Sequence, residues 1–269
     1  MAFPEDHAGG SAGVQAIETG LSILEALAAH PQPMMLKDIA LATGMHAAKI
    51  HRYLASFARG GYVEQEADGR YGLGEASLRL GLACLARLDA VRLATPIIDA
   101  LVARTSHTVL AAVWGNMGPT VVQWRDAPHP AIVNVKLGSV MPLLSSATGR
   151  VFSAFLDRKH LGTMISRELR LHARSRPMRY PNDEKTLAEM IDAVRTSGLG
   201  VVNGDLLAGI SSVSAPVFDH NGRLVLALTV LGHEASFDTH LDAEPALALR
   251  HAAGQLSGRL GYRVKNAPA

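Results

Sequence analysis

The chain lacks the features that define several large protein classes. Its 269 residues contain one cysteine, Cys84, so no internal disulfide forms. Cys84 lies between Leu82 and Leu85 in a helical pattern and is expected to be a small buried apolar residue. No apolar run reaches the roughly 18 residues that argue for a membrane span. Glu5 and Asp6 stand where an export signal needs a basic and then an apolar stretch, so no export is read. These absences together lead to the expectation of a cytoplasmic protein. Charge of neither sign dominates, with 26 Lys and Arg against 24 Asp and Glu, a formal net of +2. At 48% hydrophobic and 19% charged, the composition is that of an ordinary globular chain. A Walker loop, a GxGxxG turn and an HExxH helix are all missing. The 12 histidines are scattered, and the pairs His46/His51 and His233/His240 have no set of partner ligands. No metal and no cofactor is therefore expected; elemental analysis would detect the metal-sensor alternative. Ser145-Ser146 precede a helix as a nucleophile might, but capping is the simpler role, and no catalytic residue is assigned. The run Arg167, Arg170, Arg174, Arg176, Arg179 reads as a solvated face.

What is present is concentrated between Val14 and Leu73. Val14, Ile17, Leu21, Leu24 and Leu27 recur at helical spacing, and Pro31 and Pro33 stop that helix. A short second helix turns Leu36, Ile39 and Ala40 inward and ends at Thr43-Gly44, where glycine takes a left-handed cap. The third helix, His46 to Arg59, has Ile50, Leu54 and Phe57 as its inward stripe. At about 100° per residue, Ala48, Arg52 and Arg59 lie nearly opposite Ile50, with Lys49 about 60° from Arg52. Small Ala47 and Ala48 allow close approach to a groove wall, and Lys49 and Arg52 reach phosphates or guanine edges. Gly60-Gly61 break the helix, and Tyr62–Gln65 and Arg70–Leu73 flank an Asp68-Gly69 turn as a hairpin. Three short helices and a hairpin make a winged helix-turn-helix, a shape that most often reads the DNA major groove. The expected contacts are Ala47, Ala48, Lys49, His51, Arg52 and Arg70.

Five segments carry a family resemblance: VQAIETGLSILEAL at Val14–Leu27, LATGMHAAKIHRYL at Leu41–Leu54, GRYGLG at Gly69–Gly74, PLLSSATGRVFSAF at Pro142–Phe155, and GISSVSAPVFDHNGRLVLALTVLG at Gly209–Gly232. In this order and spacing the chain resembles an IclR-family transcriptional regulator over nearly its whole length from Val14. One departure is His46-Ala47, where the family often has proline and a polar residue; it bears on the operator sequence rather than the binding mode. The resemblance implies a double-stranded DNA operator, a small-molecule effector and a homodimer or tetramer.

Charge alone does not point to DNA. From Val14 to Gly74, Lys37, Lys49, Arg52, Arg59 and Arg70 are outnumbered by Glu18, Glu25, Asp38, Glu64, Glu66 and Asp68, a net of −1. That is a weak electrostatic footprint, useful when two or more wings act together. It also keeps a rival open: an enzyme or ligand-sensing protein whose degenerate winged helix does not bind DNA.

The rest of the chain is expected to be α+β. Residues 1–13 read as disordered, 14–75 as the winged domain, 76–94 as a linker helix and 95–264 as an effector domain. Leu78, Leu82, Leu85 and Leu88 form a stripe, and Pro96 is expected to split the linker helix from the next. Strands are read at Thr108–Trp114, Thr120–Arg125, Ala131–Val135, Ser211–Phe218 and Arg223–Gly232. Helices are read at Thr148–Phe155, Arg158–Glu168, Asp183–Thr196 with Asn182 as N-cap, and Ala243–Leu260. The sheet is mostly antiparallel, and the family's effector domain is a GAF-like α/β fold of this kind. Carrying over its ligand site residue by residue, the amides of Ala147 and Thr148 face an effector carboxylate. Val202, Asn203, Ser212, Thr229 and Leu231 line the other wall. Apolar Val202 and Leu231 suit a bulkier, flatter acid than a small keto acid, which points to an aromatic one. Binding is expected to reach the wings through the helix at Glu75–Ala94, in either an activator or a repressor.

Overall fold

The computed structural model describes residues 13–85, 88–130, 133–173 and 180–263. The chain divides into two compact units between Arg87 and Leu88. The expected disorder before Gly13, and Arg174, Arg176 and Arg179, lie outside the described residues.

The first unit holds α1 (Gln15–Ala29), α2 (Leu36–Thr43), α3 (Ala47–Arg59), strands β1 (Val63–Gln65) and β2 (Tyr71–Leu73), and α4 (Glu75–Leu85). Gly44 takes φ 66 at the C-cap of α2, which lets α3 begin three residues later. β1 and β2 pair antiparallel, with Val63 opposite Leu73, and Gly69 at φ 87 closes the wing. Ile23, Leu27, Ile39, Ile50, Leu54, Val63 and Tyr71 make one buried core.

α1 buries only the C-terminal part of the stripe its leucines suggest, with Leu27 in the core and Leu24 packed against it. Gly20, Ile23 and Leu27 go inward, while Val14, Ile17 and Leu21 remain 61%, 61% and 46% exposed. The reason is Gly20: a Cβ there would stand 2.9 Å from Phe57 Cζ, so the glycine face is the one that lets α3 approach. α4 likewise leaves Leu78, Leu80, Leu82 and Leu85 exposed, and Cys84 is exposed with them rather than buried.

The expected helix from 76 to 94 is interrupted elsewhere than foreseen. α4 ends at Leu85, and α5 (Ala90–Thr105) starts after Asp89, whose side chain accepts from the Arg92 amide. Pro96 sits inside α5 on its exposed side and does not break it. A strong N-cap about two turns earlier outweighs one lost backbone donor.

The second unit is one antiparallel sheet between helical layers. It comprises β3 (Thr108–Gly115), β4 (Gly118–Arg125), α6 (Ala147–Phe155), α7 (Arg158–His172), α8 (Glu184–Ser197), β5 (Gly200–Asn203), β6 (Ile210–Phe218), β7 (Leu224–His233) and α9 (Glu244–Arg259). The order is β4-β3-β7-β6-β5. One face packs Val109, Val213, Val217, Leu228 and Val230 against α5 and α9. The other packs Leu110, Ala112, Ala227 and Leu231 against α6 and its neighbours. Residues 133–135 are not a strand, and 131 and 132 lie outside the described residues. Val133 and Val135 pack onto the second core instead of pairing. The fifth strand is β5, four residues long and unpredicted. α8 is capped by Asp183, not Asn182: Asp183 Oδ1 accepts from the Thr186 amide at 2.8 Å, completing a capping box.

Candidate functional site

α3 presents its cations outward because its apolar residues are spaced to bury the other side. Ile50 and Leu54 are fully buried, while Ala47, Ala48, Lys49, His51 and Arg52 are all exposed. Among the described residues, neither Lys49 Nζ nor the Arg52 guanidinium has a protein partner. They border a hollow of about 440 Å³ with Tyr53 and Ser56, two residues not anticipated from sequence. Arg70 is exposed on the wing, but its Nε donates to Asp68 Oδ2 at 3.0 Å and its Nη1 to the Pro33 carbonyl at 3.4 Å. Arg70 is thus neutralised by Asp68, and with Glu64 and Glu66 the wing carries net negative charge, while the unpaired Lys49 and Arg52 sit on α3.

The second site starts at α6. Ser146 caps this helix, accepting from the Gly149 amide at 2.9 Å and donating to the Pro142 carbonyl at 2.6 Å. Both carboxylate oxygens of Glu168 on α7 accept the Leu143 and Leu144 amides, at 2.8 and 2.9 Å. The segment entering α6 is thereby fixed, and the helix's first amides have no partner within the helix itself. Arg150 sits one turn on, its side chain 13% exposed, against Asp205 at 12%. It donates from Nη2 to Asp205 at 2.7 Å, from Nε to the Leu144 carbonyl at 2.9 Å and from Nη1 to the Val201 carbonyl on β5. Burial lowers the guanidinium pKa and Asp205 opposes the shift. The pair ties α6 to the edge strand and to the turn that follows it.

Beside this helix start lies a cavity of about 40 Å³. Ala147, Thr148, Val202, Ser212, Thr229 and Leu231 all line it. Asn203 does not: successive strand residues face opposite ways, so Val202 is buried and Asn203 is exposed toward a separate open cleft with Arg150 and Thr239. Leu110, Met141, Ser146 and Ile210 complete the fixed walls, and Val133, Val135, Leu206 and Leu207 come from segments without regular structure. Among the described residues, no charged side chain lines the cavity. Behind it runs a chain of buried hydroxyls. Thr148 Oγ1 and Thr229 Oγ1 are 2.8 Å apart, Thr229 Oγ1 donates to Ser214 Oγ at 2.9 Å, and Ser214 Oγ donates to the Leu228 carbonyl at 3.1 Å.

The chain matches two family profiles, the IclR helix-turn-helix domain over residues 16–67 and the bacterial transcriptional regulator IclR C-terminal domain over residues 82–258. It belongs to the IclR family of transcriptional regulators. Like other IclR-family proteins it is a DNA-binding regulator with an effector domain, not an enzyme, which sets aside the reading of a wing that binds no DNA. Among IclR-family relatives, the HTH-type transcriptional regulator KipR of Bacillus subtilis is 26% identical over 87% of this chain and 92% of its own length. The glycerol operon regulatory protein of Streptomyces coelicolor is 27% identical over 92% and 97%. The crystal structure of Pseudomonas aeruginosa HmgR is 36% identical, covers 93% of this chain and 99% of that one, and superposes with a TM-score of 0.83. The Agobacterium tumefaciens repressor BlcR, at 22% identity and a TM-score of 0.77, shares the fold. No helix among the described residues is long and apolar enough to cross a membrane, and no three His, Cys, Asp or Glu side chains there gather at metal-binding distance.

Proposed function

We propose that this regulator binds its operator through α3 and senses an aromatic carboxylic acid in the cavity at α6. Lys49 and Arg52 are the principal DNA contacts. Ala47 and Ala48 allow close approach, and His51 and Arg70 flank them. The charged groups of the wing segment nearly cancel, so a single wing binds weakly and the working unit is a cytoplasmic homodimer or tetramer. The exposed leucines of α4 and the exposed face of α1 support such assembly; light scattering that reads a monomer at micromolar concentration contradicts it.

The observation that carries the effector reading is the distribution of groups in the cavity. Its polar groups gather around the α6 start, Ser212 and Thr229, while Val202, Leu231, Leu110 and Met141 are aliphatic. The carboxylate rests on the amides of Ala147 and Thr148, where the positive end of the helix dipole favours an anion without a charged side chain. The aromatic body takes the aliphatic part. At about 40 Å³ the cavity holds little more than one water, whose share of liquid is about 30 Å³. Ligand entry therefore displaces Leu206, Leu207, Val133 or Val135, the walls carried by irregular segments. A ligand shifts a regulator only by binding two states unequally, and this displaced wall supplies the second state. Calorimetry with benzoate, phenylacetate and their ring-substituted relatives, against glyoxylate and pyruvate, tests the reading. Aromatic acids are expected to bind and the keto acids to bind weakly; tight pyruvate binding with no aromatic binding overturns it.

A further inference from the structure

We infer that the Thr148–Thr229–Ser214 hydroxyl chain selects an effector that donates a hydrogen bond, so that the acid sensed carries a free hydroxyl. The inference rests on the cavity being the effector site and adds to it the group that decides specificity.

The polarity of the chain follows from its far end. The Leu228 carbonyl only accepts, so the Ser214 proton points to it at 3.1 Å. Ser214 Oγ then accepts from Thr229 at 2.9 Å, which commits the Thr229 proton. Between Thr148 and Thr229, 2.8 Å apart, only the Thr148 proton remains to fill the gap. Every proton of the chain therefore runs away from the cavity. Each hydroxyl has one proton and two lone pairs, so Thr148 keeps two lone pairs and Thr229 one. Both residues are buried and both line the cavity.

Beside Thr229 on the same sheet, with Leu231 as its β7 partner, Ser212 also lines the cavity; its hydroxyl makes no hydrogen bond among the described residues and keeps its proton available. The helix amides are donors as well. The site therefore has donors for a carboxylate and, at Thr148 and Thr229, only acceptors. A ligand bearing a carboxylate alone, or an ether in place of the hydroxyl, leaves those buried lone pairs without a donor, whereas a hydroxyl supplies one. Discrimination of this kind arises because a buried polar group loses its water and gains no partner.

Calorimetry on matched triplets reads the preference directly: an acid, its hydroxy relative and the methyl ether of that relative. Benzoate, the hydroxybenzoates and the methoxybenzoates form one set; phenylacetate and its ring-hydroxylated and methoxylated relatives form another. The best hydroxy acid is expected to bind about tenfold tighter, or more, than both its parent and its ether. Thr229→Val should remove the difference, and Thr229→Ser, which keeps the hydroxyl, should retain it. Parent, hydroxy acid and ether binding alike in the wild type overturns the inference, as does a preference that survives in Thr229→Val. If no aromatic acid binds at all, the aromatic reading fails by itself, and lactate against propionate then decides: tighter lactate binding sustains the donor preference, and equal binding ends it.

Discussion

Gly149→Ala is expected to lower the melting temperature of the effector unit by on the order of 6–12 °C, from a loss of about 3 kcal/mol or more. A Cβ at residue 149 would stand 1.9 Å from the Pro142 carbonyl oxygen and 2.5 Å from Leu143 Cα. Those are backbone atoms, and they are held from both sides. Ser146 ties Pro142 to Gly149, and Glu168 accepts the next two amides. Relief requires the segment to leave α6, which opens the cavity wall and breaks the cap. Gly162→Ala on α7 is the control: apart from its chain neighbours and its own helix backbone, nothing lies within 4 Å of its Cβ position. Replacing a helix-interior glycine in open space is expected to add about 0.5–1 kcal/mol. Thermal unfolding by circular dichroism reads both. Equal melting of Gly149→Ala and wild type contradicts the packing described for α6.

The second large effect is on DNA. The Lys49→Ala/Arg52→Ala double variant is expected to weaken operator binding by about 100-fold or more, each contact being worth about 1–3 kcal/mol. Neither cation has an internal partner among the described residues, and both lie on the exposed face of α3. Alanine is a good helix former, so the helix persists. If both groups meet phosphates, the salt dependence of binding also flattens, by about one unit of slope per contact. If Arg52 reads a guanine edge, part of the loss is confined to the cognate sequence. Unchanged operator affinity, with melting intact, sinks the assignment.

How far the sequence foretold this structure depended on whether a signal was local. α3, Gly44 and the Asp68-Gly69 turn are set by neighbours in the chain, and the helix-turn-helix and its wing were readable from them. α1 carries apolar residues on two faces, and only Phe57, 37 positions on, decides which one is buried; nothing in Val14–Leu27 alone says so. Pro96 is tolerated on the exposed side of α5, and the helix start is set instead by the Asp89 side chain, a single capping residue with no periodic signature. β5 is too short for its alternation to register, so Val202 and Asn203 looked like neighbours in one wall although they face opposite ways. The cavity residues drawn from the family resemblance came together except for Asn203. The groups that fix them, Glu168, Asp205 and Ser214, act across 15 to 55 residues of separation and leave no periodic trace.

The central claim is that filling the α6 cavity changes how α3 meets its operator. Fluorescence anisotropy of labelled operator DNA, titrated with protein at fixed salt with and without the tightest acid found by calorimetry, tests this most directly. The account predicts a change in operator affinity of about fivefold or more, in the range of ordinary allosteric couplings, and no change in Leu231→Asp, whose carboxylate occupies the aliphatic wall. An acid that binds the wild type yet leaves operator affinity untouched, or an undiminished response in Leu231→Asp, contradicts it.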